Sequence, residues 1–195
     1  GKLSAGEMAK QVKHNIELAN EGSVFHQLNE LIMPQLVRHG LYTKTAFALR
    51  IAAPIYAKYA QGMSYGDHVD NPIMGQGNIY RCDIAVTLFL NEPDDYAGGE
   101  LVIQSPFGAQ AIKKPAGDAI LYPASSVHHV NEITRGERLV AITWVQSMIR
   151  SAEQRDVLIS LCETRDDLLK DAKRNVFARK IDQVYVNLVR MWAEL

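Results

Sequence analysis

A chain of 195 residues, 47% of them apolar, is long enough for one domain with a substantial core. Its 21 basic and 22 acidic side chains leave a formal net charge of −1, so no strong field favours nucleic acid or an anionic membrane surface. No apolar run approaches a membrane span, and no leader is expected at the start; two distant cysteines, Cys82 and Cys162, form neither a zinc pattern nor a disulfide framework, so a cytoplasmic protein is expected.

In chain order, the first forty residues read as helical. Residues 8–18 are modestly amphipathic. After Ser23, a suitable N-cap, apolar residues recur at Val24, Leu28, Leu31, Ile32 and Leu36 until Gly40, with Pro34 as a kink or break. Phe47, Leu49 and Ile51 alternate as in a strand, and residues 55–59 form another, leading through Tyr65 into His68-Val69-Asp70. Residues 81–91 are β-branched and apolar and end in the turn cluster 92–95. Gly98-Gly99-Glu100 precedes Leu101-Val102-Ile103; 109–113 is short and alternating; Pro115-Ala116-Gly117-Asp118 turns into 119–122; and 139–146 alternates around Trp144. Many short strands between Gly, Pro and Asp turns predict a β-sandwich or barrel over about 46–146. Beyond Ser147, Val157, Leu158, Leu161, Leu168 and Leu169, then Val176, Phe177, Ile181, Val184, Leu188, Met191 and Trp192, recur at helical spacing. The chain thus divides into a β domain with N-terminal helical support over 1–147 and a helical extension over 148–195, packed on the core or at a homo-oligomer interface.

Within this pattern His68 and Asp70 are followed much later by His128 and then Arg138. Alternate residues of a strand share a face, so His68 and Asp70 can reach one metal ion, with His128 supplied by a distant strand. Two imidazoles and one carboxylate on one side of a metal form the facial set of non-heme Fe(II) oxygenases. Arg138 adds a guanidinium shaped for two-point grip of a carboxylate. The stretch 131–137, with Gly136 near its end, reads as a turn, so that His128 and Arg138 fall on neighbouring strands along one cavity. His129 and Asp67 have the wrong parity to be ligands; Arg135 reads as a solvated turn residue; His14, His26 and His39 lie on the helical segment without partners. The competing readings are a chance His-x-Asp, a cupin-like metal enzyme that does not use 2-oxoglutarate, and a non-catalytic iron or 2-oxoglutarate sensor.

The string Tyr65-Gly66-Asp67-His68-Val69-Asp70, with Gly98-Gly99-Glu100-Leu101, Pro115-Ala116-Gly117-Asp118, Leu121-Tyr122-Pro123 running to His128, Thr134-Arg135-Gly136-Glu137-Arg138 and Trp144-Val145-Gln146-Ser147, resembles the 2-oxoglutarate/Fe(II) dioxygenases of the prolyl and lysyl hydroxylase type. It is most similar to the bacterial PKHD-type, PiuC-like hydroxylases, over nearly the whole chain. The resemblance implies a mainly β protein with flanking helices: a double-stranded β-helix (jelly-roll, cupin-like) core with N-terminal helices and a C-terminal helical pair. It implies His68, Asp70 and His128 as Fe(2+) ligands, Arg138 on the distal carboxylate of the cosubstrate 2-oxoglutarate, and Tyr59 touching that cosubstrate. It also implies dependence on L-ascorbate and O2, a small-molecule or peptide substrate, and a link to iron uptake or iron starvation. Three departures are visible: the chain begins later than full-length members, it is short between Asn71 and Tyr80, and it carries Phe89 where protein-acting prolyl hydroxylases often have a tyrosine.

Overall fold

The computed structural model describes residues 9–75 and 77–195. They form two compact units, one from the residues up to Glu30 together with Ile51–Val145, the other from Leu31–Arg50 together with Gln146–Leu195.

The segment expected to be one helix over 8–18 is something else; Met8 itself lies outside the described residues. A single turn, α1 (Ala9–Val12), is followed by two short strands, β1 (Lys13–His14) and β2 (Ile16–Glu17). The physical reason is alternation with a period of two. Lys13 and Asn15 are buried and Glu17 half-buried, while His14 and Ile16 are exposed. The segment completes the open edges of two sheets, and that pairing outweighs a weak helical pattern. The helix after Ser23 is present as α2 (Ser23–Arg38) and runs through Pro34. Gly40 does not end it: His39 is extended, and Gly40 opens α3 (Gly40–Ala46).

Eleven of the remaining strands build or extend the first unit: β4 (Ile55–Ala60), β5 (Ser64–His68), β6 (Ile73–Met74), β7 (Tyr80–Arg81), β8 (Ile84–Phe89), β9 (Tyr96–Gly98), β10 (Leu101–Ser105), β11 (Gly108–Ile112), β12 (Ala119–Pro123), β13 (His128–Val130) and β14 (Ile133–Ser147). One sheet has the order β1-β5-β13-β10-β11, the other β12-β8-β14-β4-β2, and β6 and β7 form a separate hairpin. Strands β4, β5, β8 and β10 to β14 distribute themselves between two antiparallel sheets in the winding order of a double-stranded β-helix, the jelly roll. Inward side chains from both sheets, among them Tyr65 and Val130 from one and Tyr59, Phe89 and Val140 from the other, make a shared core. The stretch 131–137 is not a turn. Only Asn131 and Glu132 separate β13 from β14, and Gly136 pairs with Tyr96 just past the point, between Ile133 and Arg135, where the register of this fifteen-residue strand against β9 shifts. Gly136 has φ 75°, and a Cβ there would lie 2.1 Å from the Asp95 carbonyl oxygen.

In the second unit β3 (Ala48–Ile51) follows Phe47, which caps α3 at φ 45° rather than joining the strand. Helices α4 (Ala152–Leu169) and α5 (Asn175–Trp192) match the two expected amphipathic segments. The Ser151 hydroxyl caps α4 by accepting from Gln154 N. Phe47, Ile149 and Leu158 form the core, with Tyr185, Leu188 and Trp192 of α5 packed against it. Arg165 ties the helices by donating to Asp182 at 2.8 Å. Among the described residues no helix is long and apolar enough to cross a membrane.

Candidate active site

A cavity between the two sheets of the first unit is lined by His68, Asp70, His128, Tyr59 and Arg138, together with Tyr65, Tyr122, Trp144 and residues of the β1–β2 segment. At one end, ligand atoms of His68, Asp70 and His128 all lie within 4.8 Å of one another. His68 ends β5 and His128 begins β13, and the two are directly paired across the ladder with ring centroids 4.2 Å apart. Each imidazole is fixed by its own backbone. His68 Nδ1 is 2.8 Å from the Gly66 carbonyl and His128 Nδ1 is 3.0 Å from the Ser126 carbonyl. A carbonyl only accepts, so Nδ1 carries the hydrogen in both rings and Nε2 keeps a free lone pair, the arrangement of a metal-ligating histidine. Tyr65 stacks on His68 at 3.7 Å, and Tyr122 meets His128 edge-on at 5.1 Å.

Asp70 lies two residues beyond His68, as expected, but outside the strand, which stops at His68. Trp144 of β14 holds it instead, with Nε1 donating to Oδ2 at 2.9 Å. Burial is the main influence on both groups. It lowers the His68 imidazole to about 4, with the charge of His128 adding to the effect, and it raises the Asp70 carboxyl. Two imidazoles with Nε2 free and a carboxylate that is costly to ionise alone form a donor set whose charge a divalent cation would balance. That set fits Fe(II) with positions left open.

At the other end, Arg138 is 1% exposed and stands opposite Tyr59 across the β14–β4 pairing. Its guanidinium carbon is 5.2 Å from the Tyr59 ring centroid and 5.6 Å from that of Phe89. Phe89 therefore offers a ring face and no hydroxyl. Arg138 Nε and Nη1 and the hydroxyls of Tyr59 and Tyr96 are buried with no hydrogen-bond partner among the described residues. Burial pulls the guanidinium pKa down. Orphaned donors around a buried cation are expensive unless an anion completes them, and a carboxylate of 2-oxoglutarate fits that need. Gly99 makes room: its φ is 68°, and a Cβ there would lie 2.3 Å from Ile133 Cδ1 and 3.2 Å from Arg138 Cδ.

His128 and Arg138 are not on neighbouring strands. β13 belongs to the first sheet and β14 to the second, so the two residues approach the cavity from opposite walls. His129 points away, 2.6 Å from Asp67 Oδ1, which accounts for both residues outside the site. Arg135 is exposed, as are His14, His26 and His39. The residues that sequence reading missed are Trp144, Tyr96 and Tyr122. Trp144 stood as the centre of an alternating strand and within a resemblance string but without a role, and no local pattern links it to Asp70, seventy-four positions away.

Comparisons with known proteins give a family and its relatives. The description "2OG-Fe(II) oxygenase superfamily" belongs to the family whose model matches residues 54–146. A PKHD-type hydroxylase of Acaryochloris marina is 41% identical over all of this chain and 87% of its own length. Another from Thioalkalivibrio sulfidiphilus is 42% identical over all of this chain and 88% of its own length. Among solved structures, the viral collagen prolyl hydroxylase of Paramecium Bursaria Chlorella virus-1 is 15% identical, with 70% of this chain and 80% of that one covered at a TM-score of 0.48.

Proposed function

This chain belongs to the PKHD-type hydroxylases of the 2OG-Fe(II) oxygenase superfamily, and from that premise we propose that it hydroxylates a small molecule or peptide with Fe(II) held by His68, Asp70 and His128 and 2-oxoglutarate held by Arg138 and Tyr59. The observation that carries the reading is the pairing, in one cavity, of a His/Asp/His cluster with a buried arginine whose Nε and Nη1 lack partners. Bound there, iron and 2-oxoglutarate supply the oxidising power that lets O2 hydroxylate an unactivated C–H bond.

The chain's own contribution is geometric and electrostatic. The Gly66 and Ser126 carbonyls orient the two imidazoles, and Trp144 orients the Asp70 carboxylate. Arg138, flanked by Tyr59 and Phe89 ring faces, fixes the cosubstrate's far end in a dry environment where its charge is strong. Ile55, Leu101, Val130 and Ile142 contribute apolar walls to the cavity.

L-ascorbate dependence, which would keep the iron ferrous, and a link to iron uptake or iron starvation belong to the same reading through the family resemblance. A cytoplasmic site of action accords with two free cysteines. A dioxygenase domain over 1–147 with a helical extension over 148–195 belongs to the same reading, with the difference that Leu31–Arg50 group with the extension rather than with the β core. A homo-oligomer through the extension is supported by Phe177, Val184 and Met191, exposed at seven-residue intervals along α5. Succinate formation from 2-oxoglutarate, dependent on Fe(II) and O2 and stimulated by ascorbate, tests the function. Iron binding without any succinate, across a panel of candidate substrates, would return the cupin-like or sensor reading.

A further inference from the structure

Lys13, Asn15 and Glu17 face inward along the segment that leaves the edge of one sheet and joins the edge of the other. Lys13 pairs with Tyr65 in the first sheet, and Glu17 pairs with Ala57 in the second. Lys13 and Glu17 line the cavity, so this crossing closes it on one side. Asn15 sits at the crossing point. It is 7% exposed, and neither atom of its amide has a hydrogen-bond partner among the described residues. Two positions beyond Ala57 on β4 is Tyr59, 0% exposed, with its hydroxyl equally unpartnered. Ile16 pairs with Lys58 as Glu17 does with Ala57, so the same antiparallel register brings Asn15 beside Tyr59. Buried amides and phenols are normally satisfied, so two adjacent incomplete groups point to a ligand that aligns both.

Resting on the reading that Arg138 and Tyr59 hold 2-oxoglutarate, we propose that Asn15 is a positioning residue for the cosubstrate and acts through Tyr59. Its Nδ2 donates to Tyr59 Oη, which turns the phenol O–H toward the carboxylate gripped by Arg138. Hydrogen bonds of this kind are often loose before the ligand is bound and tighten with it. An amide suits the position because it donates at any pH, whereas a carboxylate would only accept and would repel the ligand.

The test is calorimetric titration of 2-oxoglutarate, without O2 and with Fe(II) present, into wild type, Asn15→Ala, the nearly isosteric Asn15→Asp, Tyr59→Phe and the double variant Asn15→Ala/Tyr59→Phe. Asn15→Ala is expected to weaken binding about fivefold, the size of one neutral hydrogen bond, and Asn15→Asp more. In the Tyr59→Phe background Asn15→Ala should add nothing. Wild-type affinity in both Asn15 variants, or an undiminished effect of Asn15→Ala on top of Tyr59→Phe, overturns this inference alone. Failure of wild type to bind 2-oxoglutarate overturns it together with the cosubstrate reading.

Discussion

His68 and His128 stand opposite one another across the β5–β13 pairing, and each anchors its Nδ1 on the carbonyl two residues before it. The same local device, used twice, turns two Nε2 lone pairs toward one point. The third member, Asp70, has no such local anchor and depends on Trp144 from the opposite sheet.

Replacing Trp144 with Phe keeps the apolar ring and removes the donor to Asp70. Metal affinity is expected to fall about 10- to 100-fold, the usual effect of losing an outer partner of a metal ligand, with the fold retained. Metal analysis after dialysis reads this directly, and His129→Ala serves as the control that keeps its metal. Equal retention in wild type and Trp144→Phe would show that the indole does not support the ligand.

Arg138→Met exchanges a buried, partly unpartnered cation for an apolar chain of similar length. The ligand-free variant is expected to melt higher than wild type, since an uncompensated buried charge is removed. Its affinity for 2-oxoglutarate should fall by about 2 kcal/mol or more, at least about thirtyfold. Thermal melts with and without 2-oxoglutarate give both numbers; a ligand-induced rise in Tm that survives in the variant would contradict the role of Arg138.

Gly99→Ala forces a Cβ into φ 68° and against Ile133 and the Arg138 stem. Destabilisation of about 1–3 kcal/mol is expected from the backbone alone, with weaker 2-oxoglutarate binding as the guanidinium shifts. Urea unfolding and calorimetry on the same sample separate the two, and a variant as stable as wild type would mean that the loop relaxes freely.

Acid sensitivity follows from His68. Its imidazole, lowered to about 4 from an ordinary 6.5, binds fewer protons in the folded chain than in the unfolded one between those values. Stability therefore falls as pH drops from about 6.5 to about 4 and levels off below that. Asp70, raised by burial, works in the opposite sense at the low end. In metal-free protein the acid-side loss of Tm over this window should be smaller in His68→Gln than in wild type. Superimposable profiles would show that His68 is not held neutral by the fold.

That His68, Asp70, His128 and Arg138 would line one cavity was legible from residue type and spacing, and the jelly roll because its strands are short, apolar and separated by turns. What strand order decides was not legible. His128 and Arg138 were expected on neighbouring strands and lie on opposite sheets, because sequence carries period and not adjacency. Lys13 to Glu17 looked weakly helical, since only the open edges of β5 and β4 make them strands. Trp144 and Tyr96 reach the site through tertiary register alone, whereas the resemblance pointed to Tyr59 before its place opposite Arg138 was visible.

The most direct test is an anaerobic titration of Fe(II) and 2-oxoglutarate into the metal-free protein, following the weak visible charge-transfer band of the chelate. The band is expected in wild type, absent in Asp70→Ala, and displaced to much higher 2-oxoglutarate concentration in Arg138→Met. A band of wild-type strength in Asp70→Ala, or none in wild type with iron bound, would contradict the assignment of this cavity as the iron and 2-oxoglutarate site.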